Sequence, residues 1–250
     1  MKSYKYLNLK GVTLDKEQLQ NYMEKIAVNY EIDMKSDVET YPINRLMDNY
    51  NFIQITYNTL NEHIKNNIGI YPAGEWLLDN FYIIEETVKN IKNDLTKKKY
   101  KNFPGISTGI YKGFARIYVL ASEIISYTDS KVDEETLTLS LLAYERRKTL
   151  SMEEIWNLPI FLNIAIIENI RVVCEKIMVS QIQKYKVEEI VERLVDKKEN
   201  HKQQYKKIRA NTKMYKNSSF PFIEYMSYKL KRYGKTGNAY LNILEEQVNK

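Results

Sequence analysis

Residues 105–109 read Gly-Ile-Ser-Thr-Gly and match the G-x-S-x-G pattern in which α/β-hydrolases hold a nucleophilic serine. That chemistry requires a buried strand before the serine, a helix directly after it, and a histidine that accepts the hydroxyl proton. Residues 97–103 are basic and polar, unlike a buried strand, and the histidines of the chain are His63 and His201. We therefore interpret the motif as a flexible glycine loop.

Other reaction chemistries also lack their usual residues. Two histidines and the single cysteine, Cys174, provide little material for a histidine-rich metal site. The sequence contains no G-x-x-x-x-G-K-[ST] phosphate-binding loop. A lone cysteine permits no internal disulfide and is typical of a reducing cytoplasm. We expect no catalytic residue, no metal site and no cofactor in these residues.

Charged side chains at helical spacing form the most interesting group. Six of them are candidates for one buried polar cluster: Glu75, Asp79, Glu86, Arg116, Glu168 and Arg171. One interpretation is a cleft in which carboxylates accept sugar hydroxyls and either Trp76 or Trp156 stacks on the sugar. The other is an ion-pair network that fixes helix register, because buried charge persists only when it is paired. We favour the structural network.

The positive charge of the chain is concentrated in residues 197–216. This basic segment contains eight Lys or Arg residues and one glutamate. Its net positive charge is therefore larger than the +6 of the whole chain. Candidates for contact with an anionic surface are Lys202, Lys206, Lys207, Arg209 and Lys213. A run of charge is usually a solvated face. Anionic lipid is the better functional alternative, and we do not expect nucleic acid to bind here.

These residues must be positioned by helices, because the sequence has few strand signals, eight glycines and five prolines. The central stretch, residues 75–95, places six apolar side chains at spacings of 4, 3, 4, 3 and 4: Leu77, Phe81, Ile84, Val88, Ile91 and Leu95. Trp76 and Ile83 widen that stripe. We predict that this helix is the hub of the domain and is covered on more than one side.

The whole pattern predicts an all-α, multi-helix bundle of about eight to ten helices arranged as helical hairpins. Residues 1–210 are expected to form a helical domain centred on residues 75–95, and residues 211–250 a C-terminal helical pair. Residues 96–112 are interpreted as a long ordered loop. Ser151 and Glu154 form a capping box, and Pro159 is expected to kink or restart the helix that follows.

Composition places the chain among soluble proteins, with 44% hydrophobic and 28% charged residues. Residues 1–6 have no apolar segment of the kind that begins a secretory signal. The most apolar stretch, residues 158–179, contains four charged residues. We interpret it as a buried or amphipathic helix rather than a membrane span, and we expect the chain to be cytoplasmic.

Several sequence blocks resemble one family. Residues 72–86 read Pro-Ala-Gly-Glu-Trp-Leu-Leu-Asp-Asn-Phe-Tyr-Ile-Ile-Glu-Glu, and shorter blocks follow in order at residues 113–118, 127–129, 150–159 and 167–171. Together they resemble the region that precedes the membrane part of the cyclic β-1,2-glucan synthases of glycosyltransferase family 84. The same blocks resemble the very large glucoamylase-like relatives of that family. Ordered blocks across about a hundred residues are more specific than any one motif.

The resemblance implies a parent protein that polymerises glucose from UDP-glucose into β-1,2-glucan. It supplies no catalytic residue, because this chain has neither an Asp-x-Asp motif nor an Arg-Trp pair. We therefore predict a non-catalytic scaffold or regulatory domain at the inner face of the membrane. Its partners would be the transferase and membrane domains, with glucan or anionic lipid as further ligands. The alternatives are a carbohydrate-binding helical module and an adaptor that uses the basic segment to bind a membrane surface or nucleic acid.

Overall fold

A computed structural model describes residues 12–33, 38, 40–195, 220–235, 237–238 and 240–242. Its helices are α1 (Lys16–Asn29), α2 (Pro42–Lys65), α3 (Pro72–Asp94), α4 (Lys97–Tyr100), α5 (Arg116–Tyr127), α6 (Glu134–Glu145), α7 (Met152–Val195) and α8 (Phe220–Lys231). The short strands β1 (Ile32–Asp33) and β2 (Gly105–Ile106) pair antiparallel, and Gly109–Tyr111 form a 3₁₀ turn. The predicted all-α class is confirmed.

The chain divides into two compact units. The first unit contains Met1–Thr59 and Trp76–Cys174, and the second contains Leu60–Glu75 and Glu175–Lys250. Helices α2, α3 and α7 contribute residues to both. The predicted boundary at residue 210 lies outside the described residues and stays a prediction.

Helix α3 buries the stripe that its spacing predicts. All six apolar residues from Leu77 to Leu95 are buried, and the helix begins at Pro72, where a missing N–H costs little. The prediction that α3 is covered on more than one side is wrong, because Trp76, Tyr82 and Ile83 are exposed. Helix α3 is therefore an amphipathic helix with one packed face.

The helix enclosed on all sides is α5. Eleven of its twelve residues are buried, from Arg116 to Ser126. Its sequence explains this, because apolar and small residues surround the axis instead of forming one stripe. The first unit is thus organised around α5, and α3 packs at the side of the core.

Residues 96–112, which were predicted to form a long ordered loop, contain short elements of their own. Thr96 caps α4 by accepting a hydrogen bond from the backbone N–H of Lys99, and β2 pairs with β1. Two aromatic side chains of this segment, Tyr100 and Phe103, are buried against Phe161 of α7. The segment is therefore held to the core by its aromatic residues.

Helix α7 runs without interruption for 44 residues, so it does not restart at Pro159, and the alternative expectation of a kink at that residue stays a prediction. Proline removes the hydrogen bond to the carbonyl of Ile155, and both Ile155 and Pro159 lie on an exposed face where water can bond to that carbonyl. Residues 152–192 are long and apolar enough to span a membrane, although the core helix of a soluble protein meets the same criterion.

The second unit has a small core of its own. The C-terminal end of α7 and helix α8 bury one apolar cluster with the residues that follow: Val187, Val191, Phe222, Met226, Leu230, Tyr240 and Leu241. Beside it, the Lys184 ammonium lies 3.5 Å from the ring centroid of Tyr71, and burial lowers its pKa. The charge is held by this aromatic face and by a hydrogen bond to the carbonyl of Gly69.

Candidate functional site

The first unit contains a fully buried ion pair between α5 and α7. Arg116 Nε donates to Glu154 Oε1 at 2.8 Å, and the second guanidinium nitrogen contacts Oε2, which makes the pair bidentate. The side chains are 5% and 0% exposed, respectively. Burial opposes the charge on Arg116, but the hydrogen bond and charge of Glu154 leave its pKa above the usual value.

The same carboxylate completes the predicted capping box of α7. Glu154 Oε2 accepts hydrogen bonds from the backbone N–H of Ser151 at 2.9 Å and from its hydroxyl at 3.0 Å. The backbone N–H of Glu154 in turn donates to Ser151 Oγ at 3.3 Å. The carboxylate of Glu154 thus has no unused oxygen with which to serve a substrate.

A second ion pair joins α2 to α7. Arg45 reaches both oxygens of Glu168, with Nε donating at 3.0 Å and Nη2 at 2.5 Å, and Asn49 Nδ2 donates as well. Burial raises the pKa of the nearby Tyr118, and the Glu168 carboxylate adds to the effect. The geometry holds two helices in register.

Sequence reasoning missed a third carboxylate that is bonded inside the protein, the buried Glu123 on α5. The hydroxyl of Tyr22 donates to its Oε2 at 2.6 Å, and the hydroxyl of Tyr111 donates to its Oε1. Burial and Glu123 raise the pKa of Tyr111, which keeps the phenol protonated as a donor. An acid inside an otherwise apolar helix was the signal that could have identified this position.

The structure does not bring the six predicted polar residues into one cluster. Arg116 and Glu168 belong to separate pairs, and the Arg171 guanidinium lies 5.6 Å from the ring centroid of Phe52. The three acids of α3 are exposed instead of buried: Glu75, Asp79 and Glu86. Their expected burial is wrong because a step of two residues turns a helix by about 200°, which places Asp79 opposite the buried Leu77.

The remaining candidates are placed as follows. Trp76 and Trp156, the predicted sugar-stacking residues, are both exposed, Trp156 to 74%. The basic candidates lie outside the described residues: Lys202, Lys206, Lys207, Arg209 and Lys213. The role of these positions stays a prediction.

The G-x-S-x-G motif forms a turn with no nucleophile geometry. Both the N–H and the hydroxyl of Ser107 donate to the carbonyl of Glu31, at 3.0 and 3.2 Å. The strand before it has two residues, and a 3₁₀ turn follows where a hydrolase needs an α-helix. Gly109 is required for another reason, because its φ of +69° and the ring of Tyr30 leave no room for a Cβ.

An open groove between α2 and α3 in the first unit is the candidate binding site. Its cavity volume is about 630 Å³, and its lining combines apolar and polar side chains: Met47, Tyr50, Tyr82, Glu85, Glu86, Val88, Lys89, Lys92 and Asn93. The Tyr50 hydroxyl donates to Glu85 Oε1 at 2.9 Å. Burial and this carboxylate raise the pKa of Tyr50 to about 12.

Comparison with known proteins finds a partial similarity to a glucan synthase. No model of a known protein family matches the sequence. The chain is 28% identical over 151 residues to the cyclic β-(1,2)-glucan synthase NdvB of Rhizobium meliloti (strain 1021). The matched region is 60% of this chain and 5% of NdvB, so the chain spans about a twentieth of its relative. The chain is similar to part of a glucan synthase.

The similarity to NdvB supports the predicted relationship between this chain and a cyclic β-1,2-glucan synthase. Membership of glycosyltransferase family 84 is a finer statement and stays a prediction.

Proposed function

We propose that this chain is a non-catalytic helical domain that supports a β-1,2-glucan-synthesising enzyme of the family 84 type, as a scaffold or regulator. The observation that carries the proposal is the similarity to NdvB over 151 residues. The parent enzyme would transfer glucose from UDP-glucose to β-1,2-glucan, and its reaction centre would lie elsewhere.

The described contacts favour a structural role for the buried charges. The carboxylates of Glu154 and Glu168 face arginines, and that of Glu123 faces two phenols. A catalytic acid or base must reach a reacting atom, whereas these groups are bonded inside the protein. They tie α5, α2 and α1 into one packed unit and leave its surface to meet a partner.

The proposed partners are the transferase and membrane regions of the enzyme, at the inner face of the membrane. Residues 152, 155 and 156 form an exposed apolar surface at the beginning of α7. Trp156 is the most exposed of these side chains, and exposed aromatic residues are enriched where proteins dock. The basic segment, residues 197–216, would contact anionic lipid.

The absence of catalysis is tested on the purified chain. We expect no glucose transfer from radiolabelled UDP-glucose to linear β-1,2-glucan and no cleavage of that glucan, each measured by product chromatography. Full-length NdvB in membranes serves as the positive control for transfer. Turnover by the purified chain alone would overturn the proposal.

The supporting role is tested by binding. NdvB whose own matched region has been deleted, solubilised in detergent, should bind the immobilised chain in biolayer interferometry. Trp156→Ala should weaken this binding, while Tyr228→Ala, an exposed aromatic residue on α8, serves as the matched control. If the deleted NdvB does not bind the wild-type chain, the scaffold role is wrong.

A further inference from the structure

The open groove between α2 and α3 has a volume and a mixed lining that suit a small ligand. Its volume of about 630 Å³ falls within the range of about 300–1,000 Å³ found for small-molecule pockets. The buried Val88 and the half-buried Met47 and Tyr50 provide an apolar base. The Tyr82 ring beside them is 66% exposed, so one aromatic face is available to a ligand.

The polar side chains of the groove are available for recognition. Within the described residues, the side chains of Glu86, Lys89, Lys92 and Asn93 have no hydrogen-bond or ion-pair partner. Glu85 accepts one hydrogen bond, from Tyr50, and keeps further acceptor capacity. Along α3, the acceptors at residues 85 and 86 are therefore followed by donors at residues 89 and 92, and Asn93 can both donate and accept.

The charges of the groove restrict the class of ligand. Two carboxylates and two ammonium groups balance, so neither a phosphorylated ligand nor a cation finds a field of one sign. A sugar hydroxyl both donates and accepts, which suits a mixture of carboxylate, ammonium and amide groups. The C–H face of a pyranose ring can pack on an exposed tyrosine ring.

We propose that this groove binds a short stretch of neutral glucan, with Tyr82 as the stacking platform and Glu86, Lys89 and Asn93 as hydroxyl partners. The choice of β-1,2-linked glucose rests on the proposed function, whereas the saccharide class rests on the groove itself. Bound in this way, the domain would hold product glucan close to the enzyme that it supports.

The test is isothermal titration calorimetry of the purified chain with short linear β-1,2-linked glucose oligosaccharides. We expect saturable binding by the wild-type chain and a roughly ten-fold weaker affinity in both Tyr82→Ala and Glu86→Ala. Tyr82→Phe keeps the ring and should retain most of the affinity. The substituted residues are exposed, so each variant should fold, which circular dichroism confirms.

Tyr228→Ala is the matched control, since Tyr228 is an exposed aromatic residue outside the groove. Loss of binding in Tyr228→Ala, with Tyr82→Ala unaffected, would overturn the groove assignment. No binding of any glucan, or preferential binding of UDP-glucose, would overturn the inference and leave the scaffold role intact. Binding of β-1,4-linked but not β-1,2-linked glucose oligosaccharides would support the groove and count against the proposed parent enzyme.

Discussion

At the scale of single residues, the stability of the fold depends strongly on the side chain of Glu154. Glu154→Ala leaves the guanidinium of Arg116 buried without its partner and also removes the capping box of α7. Breaking a buried pair in this way costs about 3–5 kcal/mol. We expect a loss of this size in the free energy of unfolding, measured by urea denaturation.

The matched control for that experiment is Arg146→Ala. Arg146 pairs with Glu24 at 2.9 Å, but its side chain is 61% exposed, so the expected loss is about 0–1 kcal/mol. Equal losses in the two variants would show that burial does not set the strength of the Arg116–Glu154 pair.

A second residue, His63, makes the stability depend on pH. Burial lowers its pKa below the usual 6.5, and among the described residues its buried Nδ1 has no hydrogen-bond partner. The unfolded chain therefore binds this proton more readily, and the stability from His63 is present above about pH 6.5 and lost as pH falls through the lowered value. We expect the free energy of unfolding to fall less steeply below pH 6.5 in His63→Gln than in wild type.

Proton NMR checks the same assignment directly, because the ring signals of His63 should titrate at lower pH than those of a solvated histidine. A titration of His63 at or above the ordinary value would contradict it.

At the scale of elements, the turn before α5 depends on one glycine. In Gly109→Ala the new Cβ would lie 2.7 Å from Tyr30 Cε1 at a φ of +69°, so we expect destabilisation of about 1–3 kcal/mol by urea denaturation. Gly69→Ala is the control, because no atom lies within 4 Å of its added Cβ. It should be neutral or slightly stabilising.

The elements also show how far sequence reasoning reaches. Helical period predicted the buried face of α3, because local spacing alone decides which side chains share a face. It placed the centre of the bundle at α3, whereas α5 is the enclosed helix. A helix that is apolar all round has no stripe to detect, so its central position is easily overlooked.

The ion pairs could not be predicted from the sequence, for a different reason. Arg45 and Glu168 are 123 residues apart, and Arg116 and Glu154 are 38 apart, so their meeting depends on how helices pack. Spacing within one helix cannot supply that information. The α2–α3 groove was missed likewise, since its base comes from residues of both helices.

At the scale of the whole molecule, the basic segment predicts attachment to an anionic membrane. Replacing its five candidates by alanine should abolish sedimentation with vesicles that contain phosphatidylserine, at about 1 kcal/mol per residue removed: Lys202, Lys206, Lys207, Arg209 and Lys213. The interaction of the wild-type chain should weaken as salt rises.

Alanine at Lys97, Lys98 and Lys99 of α4 is the control, because these lysines form a second basic cluster on a described helix. If both sets of substitutions reduce sedimentation equally, attachment reflects overall charge and not the basic segment.

The shared carboxylate of Glu154 also limits where the polypeptide can be divided. Among the described residues, the arginine that begins α5 forms its ion pair with a side chain from the first turn of α7, which follows it by 38 residues. A fragment that ends within α6 would therefore confine an uncompensated cation in its interior. Autonomous folding should begin only when the chain extends past residue 154, so ribosome-bound or proteolytic pieces shorter than this would remain unstructured around α5.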